Sequence, residues 1–225
     1  MLQDVSLALS QVLSAPFRRV LLKCVGLALV FLVVAGFGLD RLLAYLVDTP
    51  YGWLDTAIAV ASALGIVAAA IYLMPPVTIL VAGIFLDEIA ALVEKRYYPE
   101  DPPGRPLPAL TAVGLSVAFF LVVLGVNIVA LLLLLLPGIN LVAFFLANAY
   151  LLSREYFELA AMRYRPGEEA RAMRRAHAGR IFAAGLFIAI IVSIPIVNLI
   201  TPLFGTALMV HTHKRLSRRA EARRA

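Results

Sequence analysis

The chain has 225 residues, of which 62% are hydrophobic and only 15% charged, and its mean hydropathy is +0.92. An ordinary soluble domain is about 25% charged and about 45–50% apolar, so a soluble fold is excluded and a polytopic membrane protein is indicated. The formal charge of +6 lies beside the apolar blocks, which points to an anionic lipid leaflet as its partner and away from nucleic acid.

In chain order, the first element is residues 1–15. Gln3, Ser6, Ser10 and Ser14 recur at three- and four-residue spacing while Val5, Leu9, Val12 and Leu13 fall on another face. That is the pattern of an amphipathic helix lying in the membrane interface and ending before Pro16. Arg18 and Arg19 come next, directly before the apolar block 20–39. The block follows the acidic Asp4 and runs into Asp40–Arg41, so it reads as a span and not as a cleaved leader. Cys24, the single cysteine, can make no internal disulfide and has no second thiol for a metal. Residues 56–86 form a second spanning helix. The polar segment 87–109 reads as a short helix through Arg96 and then an extended loop set by Pro99, Pro102, Pro103, Pro106 and Pro108.

The apolar regions 110–152 and 181–210 differ from the first two because each is broken in its middle. Pro137-Gly138-Ile139-Asn140-Leu141 interrupts one and Pro195-Ile196-Val197-Asn198-Leu199 the other, and proline ends or kinks a helix. The two breaks share the pattern P-x-[I/V]-N-L, a modest sign of internal repetition of the kind built from interrupted helices. Between these regions, 153–180 alternates acidic and basic residues and reads as exposed helix interrupted at Pro166–Gly167, and 211–225 closes the chain as a basic tail.

Loop charge sets the expected topology, because Lys and Arg in short loops mark the cytoplasmic side. Arg41 is the one basic residue between the first two spans, whereas 87–109, 153–180 and 211–225 hold most of the others. With a cytoplasmic N-terminus, each broken region enters and leaves on the same side, and both termini are cytoplasmic. The arms Gly138–Leu152 and Ile181–Ile194 are short against the roughly 20 residues a crossing needs. The expected fold is therefore an all-α integral membrane protein, a single membrane domain. It has two long transmembrane helices, two Pro-broken helical hairpins that enter the bilayer wholly or in part, and an N-terminal interfacial helix. A six-span arrangement gives the same sidedness.

Few residues can carry chemistry. Arg18 and Arg19 are permanently charged forks suited to a tetrahedral oxyanion, or equally to lipid phosphate as a positive-inside anchor. Asn140 and Asn198, beside Pro137 and Pro195, either line a path at the hairpin tips or cap the helices that start there. No Asp, Glu or His lies within 20–39, 110–152 or 181–210, which removes the usual intramembrane carboxylate of proton-coupled transporters and of membrane proteases. His211 and His213, two apart on a helix, point to opposite faces and are poorly placed for a metal. Ser193 has no His or Lys near it in sequence to activate it. No enzyme, metal or cofactor is expected.

The Pro/Arg-Arg start, Phe85-Leu86-Asp87-Glu88 after a long second span, the Pro-Gly-Ile-Asn turn, and Ile194-Pro195-Ile196-Val197-Asn198-Leu199 with Pro202 and Gly205-Thr206-Ala207 occur in a characteristic order. Together they resemble the CysZ-type sulfate permeases and the wider etoposide-induced-protein membrane family, over roughly Leu9 to Arg215. The resemblance implies a multi-pass protein of the bacterial inner membrane that admits sulfate for cysteine biosynthesis and assembles as a homo-oligomer. It also implies sulfate binding at a Gly-x-Arg-Arg segment, which carries onto Arg18 and Arg19. Pro16 stands where that segment has glycine and offers no N–H to an anion.

Two functions from different classes follow. In one, Arg18 and Arg19 gather sulfate or a related oxyanion, and the hairpin tips at Pro137, Asn140, Pro195 and Asn198 form a narrow path; no nucleotide motif is present, so flow follows a gradient. In the other, the protein organises the membrane or binds a partner through its basic cytoplasmic helices, without transporting.

Overall fold

The computed structural model describes residues 2–46, 51–108, 140–194 and 196–222. The first arm of the 110–152 hairpin, with Pro137, and Pro195 lie outside the described residues. The described elements are helices: α1 Leu2–Val12, α2 Ala15–Leu46, α3 Gly52–Ile84, α4 Leu86–Tyr97, α5 Asn140–Met162, α6 Gly167–Ala176, α7 Ala178–Val192, a 3-10 turn Val197–Ile200, and α8 Thr201–Glu221. They form two compact units, Arg19–Phe85 in one and the remainder of the chain in the other.

The unit 19–85 consists of α2, from its second turn on, and α3. At 32 and 33 residues these helices rise about 48 and 50 Å, well beyond a hydrocarbon core about 30 Å thick. Two helices among the described residues are long and apolar enough to cross a membrane, Ala15–Leu46 and Gly52–Met74. Along α2, Phe17, Val20, Cys24, Ala28 and Leu32 are buried at three- and four-residue spacing, while Phe31, Val34 and Phe37 are exposed. No residue in the apolar stretch of α3 is buried. Water would not tolerate such surfaces; lipid does, since it is as apolar as they are. Gly36 brings the two helices together, because a Cβ there would come within 2.9 Å of Ile66 Cγ2. Near their connected ends a cavity of about 330 Å³ is lined by Asp40, Asp55 and Ser62 among apolar neighbours.

The second unit is built around α8. From Thr201 to Lys214 every residue of this helix is buried, and α1, α4, α5 and α7 pack against it. Helices α5 and α7 approach closely, and a Cβ on Gly185 would stand 2.2 Å from the Ala149 carbonyl oxygen. Gly205 likewise lets α8 rest on the Tyr156 ring, 2.9 Å from where a Cβ would sit. Helix α6 ends at His177, whose N–H donates to the Met173 and Arg174 carbonyls, and the chain there bends by 91° into α7. With 15 residues, α7 rises only about 22 Å, less than the bilayer core. Its tip carries exposed Ile190, Ile194, Ile196 and Val197, so this hairpin ends in apolar side chains.

Helix α1 leaves Leu9 and Leu13 exposed. It turns Asp4, Val5, Ala8, Gln11 and Val12 inward, because α8 meets it with polar groups as well as apolar ones. Two expectations require correction. The charged stretch after Leu152 is not an exposed helix: Ser153, Tyr156, Phe157, Glu158, Ala160, Ala161 and Arg163 are buried. Ion pairs across the helices satisfy the charges that an isolated helix would have left to water. Helix α8 also runs on through the segment read as a basic tail, with His211, Thr212, His213 and Lys214 buried.

Candidate functional site

Arg18 and Arg19 lie in the first turn of α2. Ser14 precedes this helix: its carbonyl accepts the Arg18 N–H at 3.0 Å, and its own N–H donates to the Gln11 carbonyl at 2.9 Å. Pro16 is the second residue of the helix, where a missing N–H costs nothing because first-turn N–H groups have no intrahelical acceptor. Phe17 and Val20 point inward, and Arg18 and Arg19 are exposed.

Six other basic residues are paired with carboxylates. Lys214 and Arg218 of α8 both bind Asp101, at 3.0 and 3.2 Å, and Arg215 pairs with Asp4. The Lys214 ammonium also lies 4.1 Å from the centroid of the Tyr164 ring. Arg174 and Arg154 meet Glu158 at 2.7 and 3.5 Å. Arg163 pairs with Glu94 at 2.9 Å and with Asp87. No ion pair involves Arg18 or Arg19 among the described residues. Lys214, Arg215 and Arg218 of α8 are thus neutralised internally, and the Arg18–Arg19 pair is not.

Arg163 is the hub that ties the proline-rich loop to the end of α5. Glu94 accepts the Gly104 N–H at 3.0 Å, and the Arg163 carbonyl accepts the Arg105 N–H at 2.8 Å. A Cβ at Gly104 would meet both Arg163 and Glu94 at 2.9 Å. Burial pushes the Glu94 carboxyl up, but the Arg163 guanidinium and the Gly104 N–H outweigh it and hold it below the usual carboxylate range. Burial acts the same way on Asp101, and Lys214 and Arg218 again bring it down. A cavity of about 620 Å³ lies beside this loop, walled by Asp87, Glu88, Glu94 and Asp101, by Lys95 and Arg163, and by Tyr98 and three prolines.

The two histidines of α8 point to opposite sides, as their spacing requires. His211 Nδ1 lies 2.8 Å from the Tyr98 hydroxyl, and its Nε2 lies 3.2 Å from Gln11 Oε1. The amide oxygen can only accept, so Nε2 donates to it, and in the neutral ring Nδ1 is then free to accept from the tyrosine hydroxyl. Burial, helped by Arg215, pushes its pKa down to about 4. His213 stacks on Tyr164 with ring centroids 4.9 Å apart. Burial, with Arg165 and Lys214, lowers its pKa to about 3. Among the described residues no group of three His, Cys, Asp or Glu side chains is arranged to hold a metal.

At the hairpin tips, α5 begins at Asn140, whose side chain lies outside the described residues. Asn198 sits in the 3-10 turn; its N–H donates to the Ile194 carbonyl at 2.9 Å, and its Oδ1 is buried without a hydrogen-bond partner. Thr201 and Thr206, which sequence reasoning did not single out, are also buried with unpartnered hydroxyls. A visible signal for Thr201 was the Thr-Pro pair at a helix start directly after a proline-broken turn. The Glu94–Arg163 and Asp101–Lys214 pairs join residues far apart in the chain, and no local pattern announces them.

The chain belongs to the sulfate transporter CysZ/etoposide-induced protein 2.4 family, whose profile matches residues 5–202. It is a membrane protein of a family whose description names a transporter and no enzyme. Comparison with curated proteins gives no match.

Proposed function

We propose that the protein is a sulfate, or sulfate-like oxyanion, permease of the bacterial inner membrane that supplies sulfur assimilation and works as a homo-oligomer. The observation that carries this reading is the exposed Arg18–Arg19 pair at the foot of a spanning helix, without an ion pair among the described residues, whereas Arg154, Arg163, Arg174, Arg215 and Arg218 each meet a carboxylate. Two adjacent guanidiniums at a low-dielectric boundary concentrate a divalent oxyanion, which they can grip through forked hydrogen bonds. Family membership supports the substrate class. With both termini cytoplasmic, as the loop charges suggest, the pair serves the exit side, or the entrance in an assembly holding subunits of both orientations. We assign the narrow part of the path to the Pro-Asn breaks of the two hairpins, Pro137 with Asn140 and Pro195 with Asn198.

The test is radiolabelled sulfate uptake into liposomes holding the purified protein. Wild type is expected to pass sulfate down its gradient, and Arg18→Ala with Arg19→Ala to reduce the flux several-fold. Equal flux from the double variant would remove the role assigned to the pair. No flux from wild type would favour the membrane-organising alternative.

A further inference from the structure

The turn between α7 and α8 presents hydrophobic side chains to its surroundings, with Ile196 80% exposed, yet encloses polar atoms that bond to nothing. Thr201 is 2% exposed and its hydroxyl has no partner; Asn198 Oδ1, three residues earlier, has none either. An unpaired hydroxyl is costly in a place that water does not reach.

The hydroxyls of Thr78, Thr206 and Thr212 are buried without a partner too, but each lies within a helix, whereas Thr201 opens one, and several serine and threonine hydroxyls avoid the penalty. Ser193 donates to the Ala189 carbonyl at 2.7 Å, Ser153 to Tyr150 at 2.8 Å and Thr56 to Gly52 at 2.9 Å, each folding back on its own helix. Thr201 does not, although valine has nearly the same shape and would remove the penalty. Thr201 is also the first residue of a 21-residue helix, at the end where the aligned peptide dipoles place positive charge. The enclosing turn is strained: Ile196 has φ 68° and ψ −49°, a conformation that a branched side chain rarely adopts.

We infer that the Thr201 hydroxyl, at the positive end of α8 and three residues after Asn198, is a contact for a partly dehydrated tetrahedral oxyanion as it passes the hairpin tip. The hydroxyl rotates freely and donates one hydrogen bond. A half-turn of the Asn198 amide exchanges its unpartnered oxygen for an NH2 donor. The anion replaces water hydrogen bonds with these donors and the helix dipole, in the manner of anion sites at the ends of interrupted helices. The strained turn at Ile196 is the element that must yield to admit it. This inference rests on the permease reading, and deepens it by naming a residue that selects for an acceptor-rich anion.

The experiment compares sulfate flux in liposomes for wild type, Thr201→Val, Thr201→Ser and Thr206→Val, alongside thermal unfolding of each protein in detergent. Thr201→Val is expected to lose about tenfold or more in flux, the worth of one hydrogen bond to a charged group. Its unfolding temperature should stay equal or rise, since an unsatisfied hydroxyl has been removed. Thr201→Ser keeps the donor and should keep the flux. Thr206→Val, deeper in α8 and equally unpartnered, should leave flux unchanged. Should Thr201→Val fail to fold, Thr201→Ala carries the same expectation. Wild-type flux from Thr201→Val, with the Arg18/Arg19 double variant still impaired, would overturn this inference alone. Absence of flux in wild type would overturn the permease reading, and this inference with it.

Discussion

Acidification between pH 6.5 and 5 should destabilise the fold, at a rate set by three titrating groups. His211 and His213 titrate in the unfolded chain near 6.5, but in the folded protein only at about 4 and about 3. Below pH 6.5 the unfolded state therefore binds two protons that the folded state refuses. Each costs about 1.4 kcal/mol of stability per pH unit. Glu155 works in the opposite direction. Burial raises its folded carboxyl to about 7 against an ordinary 4.5, so in this window the folded state holds a proton that the unfolded state lacks, returning about 1.4 kcal/mol per pH unit. The lowered carboxyls of Glu94 and Asp101, with ordinary values of 4.5 and 3.8, contribute losses only below the window. The net slope is a loss of about 1.4 kcal/mol per pH unit, or about 2 kcal/mol from pH 6.5 to 5. Equilibrium unfolding in mild detergent, followed by circular dichroism across that range, measures it. His213→Phe preserves the stack on Tyr164 and should flatten the slope to near zero, whereas Glu155→Gln should steepen it to about 2.7 kcal/mol per pH unit. A His213→Phe protein with the wild-type slope would refute the argument.

Two further outcomes follow from the packing. Arg163→Met leaves the Glu94 carboxylate buried beside Asp87 without its counter-charge and should cost about 3–5 kcal/mol. Adding Glu94→Gln should recover part of that, read as a rise in unfolding temperature over the single variant. Gly185→Ala places a methyl where the Ala149 carbonyl oxygen stands and should cost about 1–3 kcal/mol by forcing α5 and α7 apart. An unchanged unfolding temperature would mean that these helices are not in the contact described.

The internal ion pairs bear on how the basic character of the chain is understood. Read along the sequence, Lys214, Arg215 and Arg218 look like a cationic tail for lipid headgroups. In the fold they are engaged by Asp101, from the proline-rich loop, and by Asp4, from α1. The end of α8 therefore acts as a post to which two distant segments are fastened.

Hydropathy alone was enough to place the two long helices, the short helix after the second span, the break at Pro166–Gly167 and the turn before Asn198. In each case the cause is local: runs of apolar side chains favour a membrane-length helix, and proline interrupts one. The opposite outlooks of His211 and His213 were legible for the same reason, since the helical period fixes the angle between neighbours. Tertiary structure decided what these helices enclose. Helix α8 is amphiphilic in sequence yet buried to Lys214, because α1, α4, α5 and α7 surround it and bring Gln11, Tyr98, Tyr164 and Asp101 to its polar positions. The inward face of α1 and the burial of Arg163 follow from that arrangement. So does the unpartnered hydroxyl of Thr201, since whether a side-chain donor finds an acceptor depends on groups far away in the chain, which no local periodicity encodes.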